Sequence, residues 1–435
     1  MDIVLMIVYA TLILGFLVFI HEGGHYLAAR AFGVRVTEFM LGLPGPNIGF
    51  TKWGTKFGVT PFLLGGYAKV CGMEPGEMSP HLEPVLAALY RRGTANMEDI
   101  ARDCGITDDE AYEALDELVE WGSIAGPTKQ DKYNTYRAPV VKPSKKQVAA
   151  GAVAYELGQA RPVEDAHALF ESEYKQQYRS LPFWKRSVIL VAGVAVNLLF
   201  AVLLFVVLFS LIGVDVQTSA GDIRHVNVNP LDAIQMGFMY IGMVVQLIAG
   251  LFNPSTAGEV VQNSTSVIGI AAMSKQAVDL GLASAISFVA SISVSLGIMN
   301  LLPIPPLDGG RFVIEVFQKI SRKVVTMRAL NYLSAAGMIL FIGFFLFIQR
   351  THARAREGKR ANESHAPTRH RTTRTALEGA CSEKRPNLPS SRVMRTSVIP
   401  ERPFRAQSSV SAQENARSEV FFDLLRSRSP VSKCT

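Results

Sequence analysis

Five long runs of apolar residues, none of which contains a charged side chain, dominate the hydropathy pattern of the chain. A helix needs about 20 apolar residues to cross the hydrocarbon core of a bilayer, so each run is a candidate membrane span. The first run has no basic residue before it and no small-residue cleavage site, which favours a span over a signal peptide. The runs are residues 3–20, 187–214, 233–258, 280–307 and 329–349.

Basic residues next to these runs predict their orientation, because cytoplasmic loops carry an excess of Lys and Arg. Such residues follow the first run, precede the second and follow the fourth. This predicts an outer N-terminus, with residues 31–186 and 311–328 inside. Three crossings before residue 311 satisfy that arrangement, so we interpret residues 233–258 as an amphipathic or re-entrant helix on the outer side. We predict four spans, with five as the alternative, although four leave the basic residues 350–360 outside, against the charge rule.

Composition supports a membrane protein. Apolar residues make up 49% of the chain and charged residues 19%, with a mean hydropathy of +0.21, which excludes an ordinary soluble enzyme, a collagen-like chain and a wholly disordered protein. The net charge of +7 comes from residues 351–435, which hold 17 basic and 8 acidic residues against 27 and 29 in the remainder. The basic balance therefore gives no reason to expect nucleic-acid binding by the body. The tail lacks a sustained apolar period and is predicted to be disordered.

The first apolar run ends in the motif His21-Glu22-Gly23-Gly24-His25. On a helix, positions i and i+4 share one face, so both imidazoles can bind one Zn²⁺. Glu22 lies between them and can take a proton from a zinc-bound water, whose pKa the metal lowers to about 7. Such side chains are costly at the end of a membrane span unless they serve a function, which favours a zinc site over a chance match.

A catalytic zinc site needs a third protein ligand and an open position. Asp308 is the only acidic residue between residues 280 and 311, and it follows a segment with three prolines that ends the helix. The orientation above puts Asp308 on the same side of the membrane as His21 and His25. We therefore predict Asp308 as the third ligand, with a helix cap or turn former as the alternative.

These motifs together resemble those of the site-2 protease family of intramembrane zinc metalloproteases. HEGGH matches the family's HExxH, and residues 300–309 (NLLPIPPLDG) match its NxxPxxxLDG signature. Residues 61–69 (PFLLGGYAK) look like its membrane-associated β-loop, and residues 193–197 (GVAVN) are similar to its motif of small residues and Asn in the second span. The resemblance covers roughly residues 1–75 and 180–350.

The resemblance implies the same three zinc ligands and Glu22 as general base. It suggests that Asn300 and Asn197 orient the substrate or the oxyanion. It implies cleavage of single-span membrane proteins, such as tethered regulators or anti-sigma factors, after a first cut elsewhere. Many bacterial members carry a PDZ module before the LDG span, but only about 20 residues separate residue 214 from the next apolar run, so we expect no PDZ domain.

A transmembrane substrate hides its carbonyls in internal hydrogen bonds, so a protease must hold it unwound and extended. A strand edge can do this by accepting the substrate as a further strand. Residues 57–70 contain strand formers around Gly65 and Gly66, which we name as candidate strand-binding residues. A plain re-entrant turn is the alternative.

Residues 76–180 are predicted to be a soluble insertion on the inner side. Residues 82–90 and 97–104 indicate helices, a capping box at Thr107 and Glu110 opens a third helix to about Trp121, and residues 123–138 favour a two-stranded wing. The pattern resembles a winged helix-turn-helix. Residues 81–137 nevertheless hold twelve acidic and six basic residues, the wrong sign for phosphate contacts. We therefore expect the insertion to bind protein rather than nucleic acid.

The sequence thus predicts a polytopic α-helical protein of the bacterial plasma membrane, with a small β-loop, an inserted α/β winged-helix-like domain and an active site toward the cytoplasm. The predicted function is a zinc endopeptidase of regulated intramembrane proteolysis. A membrane-anchored signalling adaptor with a silent metal site and a zinc hydrolase of lipid-like substrates are the alternatives. The predicted segments are 1–75 (first protease part), 76–180 (insertion and linker), 181–350 (second protease part) and 351–435 (tail).

Overall fold

The structure is a computed structural model. It describes residues 2–350 apart from 64, 74–76, 129–130, 132–133, 144–147, 150, 152, 218–222, 252, 254, 257, 259, 261–266, 306, 327, 341, 344–345 and 348–349. The basic tail predicted to be disordered lies outside the described residues. Of the described residues, 2–214 and 225–350 belong to one compact unit, and 215–217 and 223–224 belong to a second.

Most of the described chain is helical. In order, the helices are α1 (Asp2–Ala31), α2 (Leu82–Arg92), α3 (Met97–Cys104), α4 (Asp108–Glu120), α5 (Ala166–Tyr174), α6 (Phe183–Val206), α7 (Pro230–Gly250), α8 (Val267–Asp279), α9 (Leu282–Asn300) and α10 (Asp308–Ser321). The strands are β1 (Val36–Leu41), β2 (Ile48–Lys52), β3 (Thr55–Val59), β4 (Gly66–Val70), β5 (Thr94–Asn96), β6 (Thr135–Arg137), β7 (Val214–Gln217) and β8 (Ile223–Val226).

Four helices of the described residues are long and apolar enough to cross a membrane, namely α1, α6, α7 and α9. Their number agrees with the four spans predicted, but the set differs. Residues 233–258, expected to form an amphipathic or re-entrant segment, lie largely in α7, a continuous helix that begins with Pro230 at its first turn. Residues 328–340 of the last apolar run are helical, and part of that run lies outside the described residues. By length and composition, α7 is therefore a candidate span.

The apolar helices expose large apolar side chains, which is the opposite of a soluble bundle. Leu12, Leu199 and Leu203 are each more than half exposed. Small and polar side chains instead occupy contacts between helices, among them Ser293 and Asn197, which are fully buried. Lipid solvates the apolar exterior, whereas polar groups at this depth need partners inside the bundle.

A four-stranded sheet follows directly after α1 and has the order β2-β3-β1-β4. Strand β1 pairs in parallel with β3 and antiparallel with β4, and β2 pairs antiparallel with β3. Phe39 and Phe57 from the sheet pack edge-on against Tyr26 of α1. These contacts fix the sheet beside the helix that carries the HExxH motif, with β4 as the edge strand on that side.

The soluble insertion has a hydrophobic core of its own, built mainly by α2, α3 and α4. The capping box predicted at the start of the third helix is present, with Thr107 and Glu110 each bonded to the other's backbone N–H. Helix α5, expected to be part of a linker, also packs on this core through Leu169, Phe170 and Tyr174. The fully buried side chains include Val85, Leu86, Leu89, Ile100, Ala114, Leu115 and Leu118.

Within the predicted two-stranded wing of residues 123–138, Ala125 and Arg137 form an antiparallel bridge. Strand β6 also pairs antiparallel with β5, which precedes α3. Gly93 ends α2 with φ 78°, a conformation that side chains disfavour, and thereby turns the chain back so that Thr94–Asn96 can reach β6.

Arg35 joins the insertion to the protease part. It lies between α1 and β1, and its guanidinium donates to the carbonyl of Gly122 at 2.8 Å and to Glu173 at 2.9 Å. A third donation reaches the Gln176 side chain at 3.0 Å. Arg35 therefore binds the ends of both α4 and α5, and it lies only ten residues after His25 in the sequence.

Candidate metal centre

The two histidines of the HExxH motif lie on one face of α1, as their spacing predicts. His21 and His25 are buried, with 6% and 7% of their surface exposed. Their Nε2 atoms lie 3.4 Å apart. Helix α1 continues past the apolar run to Ala31, so the motif is inside the helix rather than at its end.

Asp308 completes a cluster with these histidines across 287 positions of sequence. Its Oδ2 lies 2.9 Å from His21 Nε2 and 3.1 Å from His25 Nε2. Asp308 is the first residue of α10. The next residue, Gly309, packs against the turn that precedes this helix, where a β-carbon on Gly309 would lie 2.1 Å from the carbonyl oxygen of Leu301. Only glycine permits that approach, so the LDG motif places the carboxylate by keeping the turn tight.

The three candidate ligand atoms have separations close to those of a tetrahedral zinc site. Zn–N and Zn–O bonds of about 2.0–2.1 Å put neighbouring ligand atoms about 3.3 Å apart. The observed separations of 2.9, 3.1 and 3.4 Å scatter around that value. Among the described residues, His21, His25 and Asp308 form the group able to hold a metal ion. Two imidazoles and one carboxylate leave the fourth position for water or substrate, as in catalytic zinc sites.

Glu22 faces the sheet, beside the ligand cluster. Its Oε2 accepts a hydrogen bond of 3.0 Å from the backbone N–H of Ala68 in β4. Gly66, one of the two predicted strand-binding residues, begins β4 and packs against α1, where a β-carbon would lie 2.9 Å from Val18 and 3.5 Å from Glu22. Gly65 precedes the strand with φ 102°. The two glycines therefore bring the strand edge up to the glutamate.

Close contact between α1 and α6 leaves no room for side chains at two further glycines. A β-carbon on Gly193 of α6 would lie 2.4 Å from His25 Nε2 and 2.8 Å from His21 Cε1. A β-carbon on Gly24 would lie 2.6 Å from the carbonyl oxygen of Ala192. Sequence reasoning noted Gly193 only as part of a motif, and its role in making room for the imidazoles becomes visible in the folded chain.

The two asparagines expected to orient the substrate or the oxyanion differ in position. Asn197 is fully buried on α6, and its Nδ2 lies 3.4 Å from His21 Nδ1. Asn300 is the half-buried last residue of α9. Within the described part of the chain, no hydrogen bond joins the Asn300 side chain to the three ligands. The structure thus brings Asn197 to the cluster and leaves Asn300 at the end of the helix that precedes the LDG turn.

Comparison with known proteins agrees with this chemistry. The sequence profile of peptidase family M50 matches residues 9–344. A candidate zinc metalloprotease of Agrobacterium fabrum is 25% identical over 372 residues, covering 77% of this chain and 92% of that protein. A candidate zinc metalloprotease of Campylobacter jejuni is 25% identical over 362 residues, covering 77% and 90%.

A third relative has a specific name. The zinc metalloprotease RasP of Shouchella clausii is 23% identical over 411 residues, which cover 76% of this chain and 93% of RasP. The family match extends over most of the described membrane helices and includes both the HExxH and the LDG segments. The chain therefore belongs to peptidase family M50, the site-2 proteases, and is a zinc metalloprotease.

Proposed function

We propose that this protein is an intramembrane endopeptidase that cleaves single-span membrane proteins during regulated intramembrane proteolysis. His21, His25 and Asp308 would hold the Zn²⁺, and Glu22 would act as general base. The convergence of two buried imidazoles and a partly buried carboxylate beside a strand edge, among helices able to span a membrane, carries this proposal.

The residues around the metal have distinct tasks in this proposal. When bound, Zn²⁺ supplies Lewis-acid activation of a water molecule and of the scissile carbonyl. Glu22 accepts the proton of the attacking water on its carboxylate and then delivers it to the leaving amine. The Ala68 N–H, 3.0 Å from Glu22 Oε2, supports this role because it fixes the carboxylate beside the ligand cluster.

Strand β4 would hold the substrate in an extended form. It is the edge of the sheet next to α1, and residues 66–70 form a strand rather than a plain turn. A substrate segment that added to this edge would satisfy its backbone groups there instead of in its own helix. Its scissile peptide would then pass Glu22. Gly65 and Gly66 would contribute to strand binding because they let the β4 edge approach Glu22.

The remaining assignments concern orientation and partners. We propose a bacterial plasma membrane location, with the metal centre toward the cytoplasm, supported by the basic residues that follow α1 and lie in α10. The insertion would act as a winged-helix-like domain that binds protein. Its predominantly acidic helix α4 argues against nucleic acid. Access to the site would not depend on a PDZ domain, and anti-sigma factors are candidate substrates.

The direct test is expression of the wild type and Glu22→Gln with tagged single-span membrane proteins. We expect a shortened product with the wild type and a loss of about 10²–10⁴-fold in rate with the variant, the usual contribution of general acid–base catalysis. Zinc content, measured on the purified proteins, should be equal in both.

Three results would count against the proposal. Equal cleavage by Glu22→Gln would remove the assigned base, and Glu113→Gln, an exposed glutamate of α4, serves as the matched control that should cleave normally. Cleavage by neither protein across a broad set of substrates would favour the adaptor. Release of acyl groups from lipids would favour the lipid hydrolase.

A further inference from the structure

Asn197 is the buried polar side chain closest to the ligand cluster that has no role in the mechanism above. Its exposed fraction is 0%, and it lies on α6 behind His21. A side chain enclosed in this way, between α1 and α9, is not placed to touch a substrate. Asn197 lies at the Nδ1 side of the His21 imidazole, whereas Asp308 lies at the Nε2 side, so Asn197 contacts His21 from behind.

The hydrogen-bonding atoms of Asn197 are mismatched to a metal-binding histidine as they stand. Its amide Nδ2 lies 3.4 Å from His21 Nδ1, and its Oδ1 is buried with no hydrogen-bond partner among the described residues. If His21 offers the Nε2 lone pair to the metal, its Nδ1 carries the proton and must donate. Two donors would then face each other while an acceptor is left unpaired, a costly arrangement inside the bundle.

Rotation of the Asn197 amide by a half-turn corrects the pairing with His21 and moves Nδ2 to the position where Oδ1 lay. The oxygen and nitrogen of a carboxamide exchange places, and their assignment follows from the hydrogen bonds available. Oδ1 then accepts from His21 Nδ1–H, so the unpaired oxygen gains a partner. The same rotation fixes the tautomer that leaves Nε2 free to bind the metal.

Helix α6 already provides such an acceptor to the other histidine. His25 Nδ1 lies 2.8 Å from the carbonyl oxygen of Ile189. Ile189, Gly193 and Asn197 follow each other at intervals of four and therefore lie on one face of α6. That face offers an acceptor to His25, room for both rings at Gly193, and a carboxamide to His21.

We propose that Asn197 is a positioning residue of the zinc site, whose side-chain oxygen accepts the Nδ1 proton of His21 and thereby sets its tautomer and ring orientation. The inference rests on the proposed role of His21 as a zinc ligand. It replaces the expectation that Asn197 orients the substrate. Outer partners of this kind typically contribute about 10–100-fold to metal affinity.

The test measures metal binding by the purified full-length protein in detergent, independently of any substrate. Asn197→Leu keeps the branched shape of the side chain but removes the acceptor, and we expect its zinc affinity in chelator competition to fall about 10–100-fold. Asn197→Asp keeps an oxygen at the same place and should restore an affinity near that of the wild type. The visible absorption of the Co²⁺-loaded protein should change in Asn197→Leu and return toward the wild-type spectrum in Asn197→Asp.

Ser293→Ala is the matched packing control. Ser293 of α9 is also fully buried, and its hydroxyl donates to the backbone carbonyl of Asn197 at 2.9 Å. Loss of this hydroxyl therefore disturbs the packing of α9 against α6 at Asn197 but leaves the side-chain oxygen of Asn197 in place. We expect Ser293→Ala to lower the thermal unfolding temperature but to leave zinc affinity unchanged. An equal loss of affinity in Ser293→Ala and Asn197→Leu would overturn the inference, because packing alone would explain it.

His21→Ala separates this inference from the proposed function. If His21→Ala loses zinc while Asn197→Leu binds like the wild type, the metal centre stands and the positioning role is wrong. If His21→Ala binds zinc as tightly as the wild type, the ligand assignment itself is wrong, and the role of Asn197 fails with it. Failure of Asn197→Asp to restore affinity would also overturn the role, since the acceptor oxygen is what the inference requires.

Discussion

The metal centre and the soluble insertion are organised in opposite ways. In the insertion, residues close in sequence bury apolar side chains such as Leu86, Leu115 and Leu118 and turn their charges outward. At the metal centre, residues 287 positions apart bury their polar groups, and the surrounding helices turn apolar side chains outward. The solvent explains the difference, because water favours a hydrophobic core, whereas lipid leaves packing and polar contacts to hold the helices together.

The metal centre and the insertion therefore depend on different kinds of contact. The stability of the insertion should depend on its buried apolar area, so the insertion should tolerate the loss of a polar surface group. The function of the metal centre should depend on the placement of a few atoms, so the centre should tolerate the loss of a peripheral apolar contact. Substitutions in each region should therefore leave the measured property of the other unchanged.

The largest effect is expected for Asp308→Ala. It removes one of three ligands, and because loss of even an outer partner costs about 10–100-fold, we expect zinc affinity to fall by at least about a hundredfold. Metal analysis and chelator competition measure this. The exposed Asp232 in the first turn of α7 gives a matched control, since Asp232→Ala should bind zinc normally. Unchanged zinc binding by Asp308→Ala would remove this residue from the ligand set.

The next effect concerns the two glycines inside the HExxH motif. Gly24→Ala would place a β-carbon 2.6 Å from the carbonyl oxygen of Ala192 and force α1 away from α6, whereas Gly23→Ala meets nothing within 4 Å. Since a shift of about 1 Å in a catalytic group can cost about a hundredfold in rate, we expect that loss of cleavage for Gly24→Ala and almost none for Gly23→Ala. A rate assay on one substrate suffices, and equal rates for the two variants would contradict the close helix contact.

Leu118→Ala tests the insertion. Leu118 is fully buried in α4, and its truncation should lower the free energy of unfolding of the insertion by about 2–5 kcal/mol. Hydrogen exchange of α2 and α4 would report the loss, while zinc content should stay at the wild-type level. Tyr112→Ala, at an exposed position of the same helix, is the control and should change exchange little. Zinc loss in Leu118→Ala would show that the two regions are coupled.

The smallest effect is expected at the start of α4. Thr107→Ala removes the side-chain acceptor of the capping box and should cost about 1 kcal/mol, whereas Thr107→Ser should cost little. Hydrogen bonds from the backbone and side chain of Thr107 lower the pKa of Glu110. A lowered folded-state pKa contributes stability that is present above the unfolded carboxyl pKa and is lost as the pH falls. The difference between wild type and Thr107→Ala should therefore shrink in acid, as thermal unfolding at several pH values would measure.

Local sequence was sufficient wherever the controlling interactions are local. The HExxH spacing on a helix, the capping box at Thr107 and Glu110, and the bounds of α3 were predicted as observed. The four-residue spacing of His21 and His25 defines a shared helical face before any tertiary contact forms. The same reasoning did not predict the pairing of β5 with β6, since that pairing joins segments remote in sequence and depends on the turn at Gly93.

Hydropathy, helical period and charge are properties of short segments, so they were enough to predict the membrane class, the metal-binding residue types and the composition of the insertion. Which atoms meet depends on the tertiary structure. It brought Asp308 to the two histidines, β4 to Glu22 and Asn197 to His21. It also made residues 230–250 a continuous helix, where an amphipathic or re-entrant helix was expected. Distances of about 3 Å between remote residues follow from helix packing and glycine contacts, which no single segment of the sequence encodes.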